Sequence, residues 1–241
     1  MTTVACLHHL DRPFLGYAEA PLRAARLTLE EYDVARGHVL PELDAVDGLI
    51  SFGGAQSAVD LDAEPALHAE TDLLARAVAR GVPVLGLCLG AQLLARAVGA
   101  PVRRARRRTV AWLRLERLPG ASGDPLVAAL PPVVSALHWN ADVFDLPSGA
   151  VELLGPRVEG VAAFRIGTSA YGLQFHPEVD ASVLEGWYAD YGNWLVDAGV
   201  AERDARAADA VHQRDQADIA NRLFTAFASI VTDQCGSVRR A

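Results

Sequence analysis

The chain has 241 residues, and 51% of them are hydrophobic, which is enough apolar surface to bury one substantial core. Its formal net charge of -8 argues against nucleic acid or an anionic membrane as the main partner, because both attract basic surfaces. We therefore expect small solutes and other proteins as partners.

The sequence predicts neither export nor a membrane span. Polar residues follow the first apolar ones too early for the core of a signal peptide. The longest apolar run, Val82–Ala91, is interrupted by proline and glycine and is too short to cross a bilayer. The cysteines, Cys6, Cys88 and Cys235, are odd in number and form no CxxC pair, which is typical of a reducing compartment. We expect a cytoplasmic protein.

The first half of the chain alternates strands and helices. Apolar runs predict strands at Thr3–His8 and Gly48–Phe52, and an alanine- and leucine-rich stretch predicts a helix at Pro65–Arg80. The next strand, Val82–Leu87, is apolar on both faces, as is typical of a central strand in a parallel sheet covered by helices. Helix-forming residues resume at Leu89.

The second half adds short β-rich pieces between Val102 and Gln174, separated by Pro and Gly. An apolar stripe at helical spacing then predicts a terminal helix at about 201–232, docked on the core. Its members are Ile219, Leu223, Phe227 and Ile230. The whole pattern predicts an α/β fold in a single domain over 1–241. We expect an open, mostly parallel central sheet flanked by helices, an additional small antiparallel sheet, and ligands at the carboxyl ends of the strands.

A glycine-flanked cysteine is the first candidate for chemistry. Gly86, Cys88 and Gly90 form G-x-C-x-G between a buried strand and a helix, the sulfur counterpart of a nucleophile elbow. The glycines permit a sharp turn, and the free N–H groups at the helix start favour a thiolate. The backbone N–H of Leu89 is suited to hold an oxyanion. The alternative is that Cys88 is a small buried hydrophobic residue.

The segment QFHPE supplies a candidate base. His176 and Glu178 are two residues apart, so an extended backbone points both side chains to one side, and Pro177 favours that conformation. A histidine oriented by a carboxylate can activate a thiol and later protonate a departing amine. A surface turn is the alternative for this segment alone. Together with the glycine-flanked cysteine, it indicates a Cys88, His176, Glu178 triad.

Four segments carry a resemblance that spans most of the chain. They are FGGAQSAVD at Phe52–Asp60, PVLGLCLGAQLLA at Pro83–Ala95, HWNADVFDLPSGA at His138–Ala150 and YGLQFHPEV at Tyr171–Val179. In these segments the chain resembles the class I glutamine amidotransferases. Within them it is similar to freestanding members related to the glutaminase part of guanosine monophosphate synthase. The resemblance implies the flavodoxin-like architecture of that family.

The resemblance also implies roles for individual residues. Cys88 would be the nucleophile, His176 the base and Glu178 its orienting carboxylate. The backbone N–H groups of Gly54 and Leu89 would form the oxyanion hole.

The resemblance further implies a substrate-binding group and requires neither a cofactor nor a metal. This group would hold the α-amino and α-carboxylate groups of the substrate. Its members are Gln92, Asn140, Ala141 and Asp142.

The rim of this site departs from the family pattern. Asn140 and Ala141 stand in WNAD where the freestanding relatives commonly read WHGD. Ala55 replaces a frequent proline, and TVAW at Thr109–Trp112 stands where EIGW is common. These changes leave the triad intact and affect which amide is cleaved.

Three functions remain open at this point. The first is a glutaminase that passes ammonia to a separate synthase or ligase subunit, since 241 residues leave no room for a synthase domain and contain no phosphate-binding GxxxxGK[ST] loop. The second is a γ-glutamyl peptidase or hydrolase that acts on a larger amide. The third is a catalytically silent binding subunit.

Two further features receive no role from the sequence. Arginine fills all but one position of Arg103–Arg108, and we expect a solvated loop there, with phosphate or an acidic partner as the alternative ligand. His8 and His9 end the first strand, yet no carboxylate or cysteine spacing nearby suggests a metal site.

Overall fold

The computed structural model describes residues 1–238. Residues 239–241, the last three of the single domain that we expect over 1–241, lie outside the described residues. The described strands are β1 (Thr3–His8), β2 (Thr28–Asp33), β3 (Gly48–Ser51), β4 (Val84–Leu87), β5 (Val102–Arg117), β6 (Val133–Phe144), β7 (Val151–Gly155), β8 (Ala163–Ile166) and β9 (Ala170–Leu173). The described α-helices are α1 (Glu19–Ala24), α2 (Pro65–Arg80), α3 (Leu89–Ala97), α4 (Ala181–Tyr191), α5 (Asn193–Ala198) and α6 (Glu202–Val238).

Within the described residues, the strands form one nine-stranded sheet in the order β2-β1-β3-β4-β9-β8-β7-β5-β6. The pairs from β2 to β9 are parallel, and those from β9 to β6 are antiparallel. Every residue of β3, β4 and β9 is buried, because helices cover both faces of the parallel part. The α/β class with helices on a mixed sheet is confirmed.

The antiparallel strands continue the main sheet, whereas we expected them as an additional small sheet. The turn at residues 167–169 returns the chain from β8 to β9, and Ile166 pairs with Ala170 at its base. A short turn can join only antiparallel neighbours, so β8 extends the sheet at the edge of β9. Strand β7 pairs with β5 through only two residues of β5, Glu116 and Arg117, and this short pairing joins β5 and β6 to the rest of the sheet.

The predicted boundaries of the first elements hold with small shifts. The helix at Pro65–Arg80 is confirmed, and the following strand begins at Val84 rather than at Val82. Gly81 adopts a left-handed conformation (φ 72°), and the N–H of Val82 bonds to the carbonyl oxygen of Ala77 at 2.9 Å. Val82 therefore belongs to the closing turn of α2.

Three chain segments meet at the carboxyl edge of the parallel strands. Phe52–Gly54 follow β3, Cys88 follows β4, and Gln174–His176 follow β9. Because β4 lies between β3 and β9, the glycine loop, the cysteine and the histidine converge at one edge.

The C-terminal helix α6 docks on the sheet through its predicted apolar stripe. Ile219, Leu223 and Phe227 are buried, and Ile230 packs against the same cluster while partly exposed. The helix runs beyond the expected end near residue 232. None of the helices within residues 1–238 is long and apolar enough to cross a membrane.

The docking of α6 predicts a large stability difference between two truncations. Phe227→Ala removes a fully buried ring and should lower the free energy of unfolding in urea by about 3–5 kcal/mol. Val211→Ala, on the exposed side of the same helix, should change it by less than about 0.5 kcal/mol. Equal effects of the two substitutions would contradict the docking.

Candidate active site

Cys88 occupies a sharp turn between β4 and α3. It is the N-cap of α3 and one of two described non-glycine residues with positive φ, at φ 49° and ψ -102°. A Cβ on Gly90 would overlap the carbonyl oxygen of Ser51, and one on Gly86 would lie 2.5 Å from the carbonyl oxygen of Gly90. Both glycines are therefore required for this close approach of helix and strand. The strained turn places the buried thiol at the N-terminus of α3, where the helix dipole stabilises negative charge.

His176 and Glu178 form a buried pair. The imidazole Nδ1 donates to Glu178 Oε1 at 2.8 Å, and the two side chains are 3% and 0% exposed. The ring of Trp187 stands edge-on to the imidazole, with 4.7 Å between ring centres. From α6, Gln216 Nε2 donates to the carbonyl oxygen of His176 at 2.5 Å. The imidazole is thereby fixed, and its Nε2 is buried without a hydrogen-bond partner among the described residues.

Only glycine fits between the cysteine and the histidine. A Cβ on Gly53 would lie 2.7 Å from His176 Cε1 and 3.7 Å from Cys88 Cβ. The two side chains therefore flank the same point of the glycine loop.

The charges of this pair govern the pKa of His176. Burial lowers the pKa of the imidazole, but the negative charges of Cys88 and Glu178 outweigh burial and raise it to about 10. At neutral pH the imidazolium is therefore the main form of His176.

The residues predicted to form the oxyanion hole, Gly54 and Leu89, lie side by side. A Cβ on Gly54 would lie 2.6 Å from Leu89 Cδ2 and 2.6 Å from His9 Cβ, so the loop packs between the start of α3 and the end of β1. Behind the loop, His9 Nε2 pairs with the buried Glu70 at 2.6 Å, which also accepts from Ser51 Oγ. This buried network supports the glycine loop.

A cavity of about 110 Å³ lies at Cys88, and the predicted substrate-binding residues form part of its wall. Those that line it are Gln92, Asn140, Ala141 and Asp142. Gln92 Nε2 and Asn140 Nδ2 both donate to the carbonyl oxygen of Asp142, at 2.9 and 3.1 Å. The Asp142 carboxylate is buried and accepts from Ser57 Oγ at 2.6 Å. The side-chain amides of Gln92 and Asn140 thus hold the backbone of Asp142 in place in the cavity wall.

The two other rim positions named from the sequence, Ala55 and Thr109, line different cavities. Ala55 lines the Cys88 cavity, whereas Thr109 lines a distinct cavity of about 20 Å³ together with Asn140 and Gln174. Asn140 lines both cavities, and Thr109 does not line the Cys88 cavity.

One contact to the thiol was missed by sequence reasoning. Gln174 Nε2 donates to Cys88 Sγ at 3.6 Å, and Gln174 Oε1 lies 3.5 Å from Gln92 Nε2. The sequence could have predicted this contact: Gln174 lies two residues before His176, and alternate residues of an extended segment point to the same side.

The arginine-rich segment lies in β5 and is not the separate loop that we expected. It forms an irregularity in the pairing of β5 with β6, where Arg104 forms an ion pair with Asp142 at 2.9 Å. Both Arg104 and Arg108 line the Cys88 cavity.

The other cysteines lack such surroundings. Cys6 is buried in the core, and burial raises the pKa of its thiol far above its usual range. Cys235 Sγ donates to Asp47 Oδ1 at 3.3 Å. Among residues 1–238, no group of three or more His, Cys, Asp or Glu side chains is arranged to hold a metal ion.

Comparison with known sequences agrees with these motifs. A family model described as glutamine amidotransferase class-I matches residues 22–188. The glutamine amidotransferase-like protein YfeJ of Salmonella typhimurium is 29% identical over 66% of this chain and 67% of its own length. The GMP synthase [glutamine-hydrolyzing] of Thermomicrobium roseum is 33% identical over 55% of this chain. The match covers only 23% of that longer protein.

Solved structures share the fold. A glutamine amidotransferase from Thermotoga maritima superposes with a TM-score of 0.83 at 24% identity, over 95% of this chain and 98% of its own. One from Methylobacillus flagellatus gives a TM-score of 0.81 at 24% identity, over 95% and 94%. At 24% sequence identity, the similarity to these two structures establishes the fold of this chain and nothing further.

The electrostatics of the site predict a titration that can be measured. By NMR of the imidazole ring, His176 should stay protonated to a pH well above its ordinary pKa of about 6.5. Cys88→Ala removes one of the charges that raise this pKa and should lower it. Cys6→Ala, the matched control, should leave it unchanged. A normal pKa for His176, or one insensitive to Cys88→Ala, would contradict the effect of Cys88 and Glu178 on the imidazole.

Proposed function

We propose that this chain, which belongs to the class I glutamine amidotransferase family, hydrolyses the side-chain amide of glutamine with Cys88 as the nucleophile. The observation that carries the proposal is the strained turn at Cys88 beside the buried His176–Glu178 pair. A nucleophile, a base and an orienting carboxylate in this order constitute a thiol triad.

The reaction begins with attack of the Cys88 thiolate on the γ-carbonyl carbon of glutamine. The backbone N–H groups of Gly54 and Leu89 stabilise the resulting oxyanion. His176 then donates its proton to the amide nitrogen, the C–N bond breaks, and ammonia leaves a γ-glutamyl thioester on Cys88. Next, His176 takes a proton from water, whose oxygen attacks the thioester. Glutamate departs, and the thiolate–imidazolium pair is restored.

Glu178 and Trp187 act on the base. Glu178 accepts from Nδ1, which fixes the ring orientation and directs Nε2 to the reacting groups. Trp187 covers the ring edge-on and limits access of water to it. The chemistry requires no cofactor.

We further propose that the ammonia is used by a separate synthase or ligase partner. Support comes from the GMP synthases among the relatives, in which the matched segment is a minor part of a longer protein. The four substrate-binding residues of the Cys88 cavity hold the amino-acid end of glutamine in this proposal.

A second candidate is hydrolysis of a larger γ-glutamyl amide. A cavity on the His176 side of the site, where the leaving group is protonated, has largely aromatic walls. Its lining includes Trp139, Trp187, Tyr191 and Trp194. This cavity has a volume of only about 20 Å³, so an apolar substituent on the amide nitrogen would pack against the rings at its mouth, whereas ammonia needs no such surface.

The triad predicts graded losses of activity. Cys88→Ala should abolish measurable glutamine hydrolysis, and Glu178→Gln should lower kcat by about 10²- to 10⁴-fold because the imidazole loses its orienting charge. Cys235→Ala, a cysteine outside the site, should retain full activity. Release of ammonia and glutamate is the measurement.

The same assay with γ-glutamyl dipeptides separates the candidates. A higher kcat/KM for glutamine supports the glutaminase, and a higher value for the dipeptides supports the second candidate. A wild-type protein that turns over neither, with or without a synthase, would contradict both and leave the silent binding subunit.

A further inference from the structure

A buried histidine at the end of β1 takes no part in the triad. His9 follows β1 directly, and its side chain is fully buried. Its Nε2 lies 2.6 Å from Oε2 of Glu70, a carboxylate of α2 that is equally buried. Removing two ionisable groups from water costs about as much free energy as their pairing returns. The pair therefore points to a requirement other than stability.

Glu70 connects the two chain segments that border the glycine loop, Phe52–Gly54. Its Oε1 accepts from Ser51 Oγ at 2.6 Å, and Ser51 is the last residue of β3, directly before the loop. Its Oε2 binds His9, which packs against the loop: a Cβ on Gly54 would lie 2.6 Å from His9 Cβ. One carboxylate thus fixes both the start of the loop and the side chain behind it.

The backbone around His9 is tied to the same loop. From beyond the loop, Gln56 Nε2 donates to the carbonyl oxygen of His9 at 2.8 Å. The N–H of Phe52 donates to the carbonyl oxygen of Leu7 at 3.0 Å. A Cβ on Gly54 would also lie 2.5 Å from Gln56 Oε1. The loop and the end of β1 are therefore packed as one unit.

The carbonyl groups of the loop also act on the imidazole. Burial lowers the pKa of His9, but Glu70 and the backbone carbonyl groups of Phe52 and Gly53 outweigh burial and raise it. Nδ1 is buried and has no hydrogen-bond partner of regular geometry within residues 1–238, so the ring meets these carbonyl groups at longer range. The positive charge of His9 therefore lies on the carbonyl side of the Gly53–Gly54 peptide.

The Gly53–Gly54 peptide links this pair to the proposed reaction. The carbonyl of Gly53 and the N–H of Gly54 belong to one planar trans unit, in which they point in opposite directions. A cation on the carbonyl side fixes the plane and polarises the unit, which makes the N–H a stronger donor. The same peptide borders the nucleophile, because a Cβ on Gly53 would lie 3.7 Å from Cys88 Cβ.

We propose that His9 and Glu70 are positioning residues that orient the Gly53–Gly54 peptide for the oxyanion formed at Cys88. The inference rests on the proposed function, in which the N–H of Gly54 receives that oxyanion. Neither side chain lines the Cys88 cavity, so neither touches the substrate. The pair acts on the steps in which a carbonyl oxygen becomes negative, and it leaves the binding of glutamine unchanged.

The kinetic test compares two carboxylate-to-amide substitutions on α2. Glu70→Gln keeps the size of the side chain and removes its charge. It should lower kcat for glutamine by about 10- to 100-fold, less than the loss of a whole oxyanion donor, and leave KM within about twofold. Asp72→Asn, exposed on the same helix, should match the wild type. Leu73→Ala, buried on that helix, should lower the thermal stability and leave kcat unchanged.

A second test separates the oxyanion from the reactivity of the thiol. p-Nitrophenyl acetate transfers its acetyl group to the Cys88 thiolate through an oxyanion and releases p-nitrophenolate. Iodoacetamide alkylates the same thiolate at a saturated carbon, with loss of iodide and without an oxyanion. Glu70→Gln and His9→Gln should each slow acetylation by about 10-fold and leave alkylation within about twofold. The double variant should be no slower than either single variant, because the two residues act as one unit.

The readouts are p-nitrophenolate release, corrected with Cys88→Ala, and mass spectrometry of the alkylated Cys88 peptide. Should Glu70→Gln fail to fold, His9→Gln gives the same comparison. Three results would overturn the inference: Glu70→Gln matches Asp72→Asn, acetylation and alkylation slow equally, or KM rises while kcat stays constant.

The acetylation test also distinguishes this inference from the proposed function. A wild type that hydrolyses no glutamine, but whose acetylation alone is slowed by Glu70→Gln, would support the inference and refute the proposed function. A wild type whose Cys88 is not acetylated would refute both.

Discussion

The approach of helix α3 to the central strands sets the geometry of the site. At Gly90 the helix passes so close to the carbonyl oxygen of Ser51 that no side chain fits, and Gly86 meets the carbonyl oxygen of Gly90 in the same way. The intervening residue is forced to a positive φ, which a non-glycine residue adopts only at a cost of about 1–3 kcal/mol. The surrounding packing provides that energy. Cys88 is thus held at the first turn of a helix by the core itself.

The electrostatics follow from this packing. His176 and Glu178 are buried, yet the pKa of the imidazole is raised because charges on both sides of the ring outweigh the desolvation. The pair is fixed by a remote element: Gln216 of α6 holds the backbone of His176. The terminal helix therefore serves the site as well as the core.

Local patterns predicted much of this structure. The helix at Pro65–Arg80 and the stripe with Phe227 are periodic over several turns, and the turn at Cys88 is specified by its own glycines. The sheet extension through β8 and the bulge before Thr109 depend on pairing between strands distant in sequence, which single-sequence periodicity does not encode. For the same reason Gln174 at the thiol and Arg108 at the cavity were missed as site residues. Their surroundings come from other strands and helices.

We propose that Cys88 alone is the reactive nucleophile of a site shaped for glutamine. Reaction of the full chain with a glutamine-like diazoketone, followed by peptide mapping, tests it most directly. We expect one adduct, on Cys88, that glutamine suppresses and that is absent in Cys88→Ala, with Cys6 and Cys235 unmodified. An unmodified Cys88, or equal labelling of Cys88 and Cys235 that glutamine does not suppress, would contradict it.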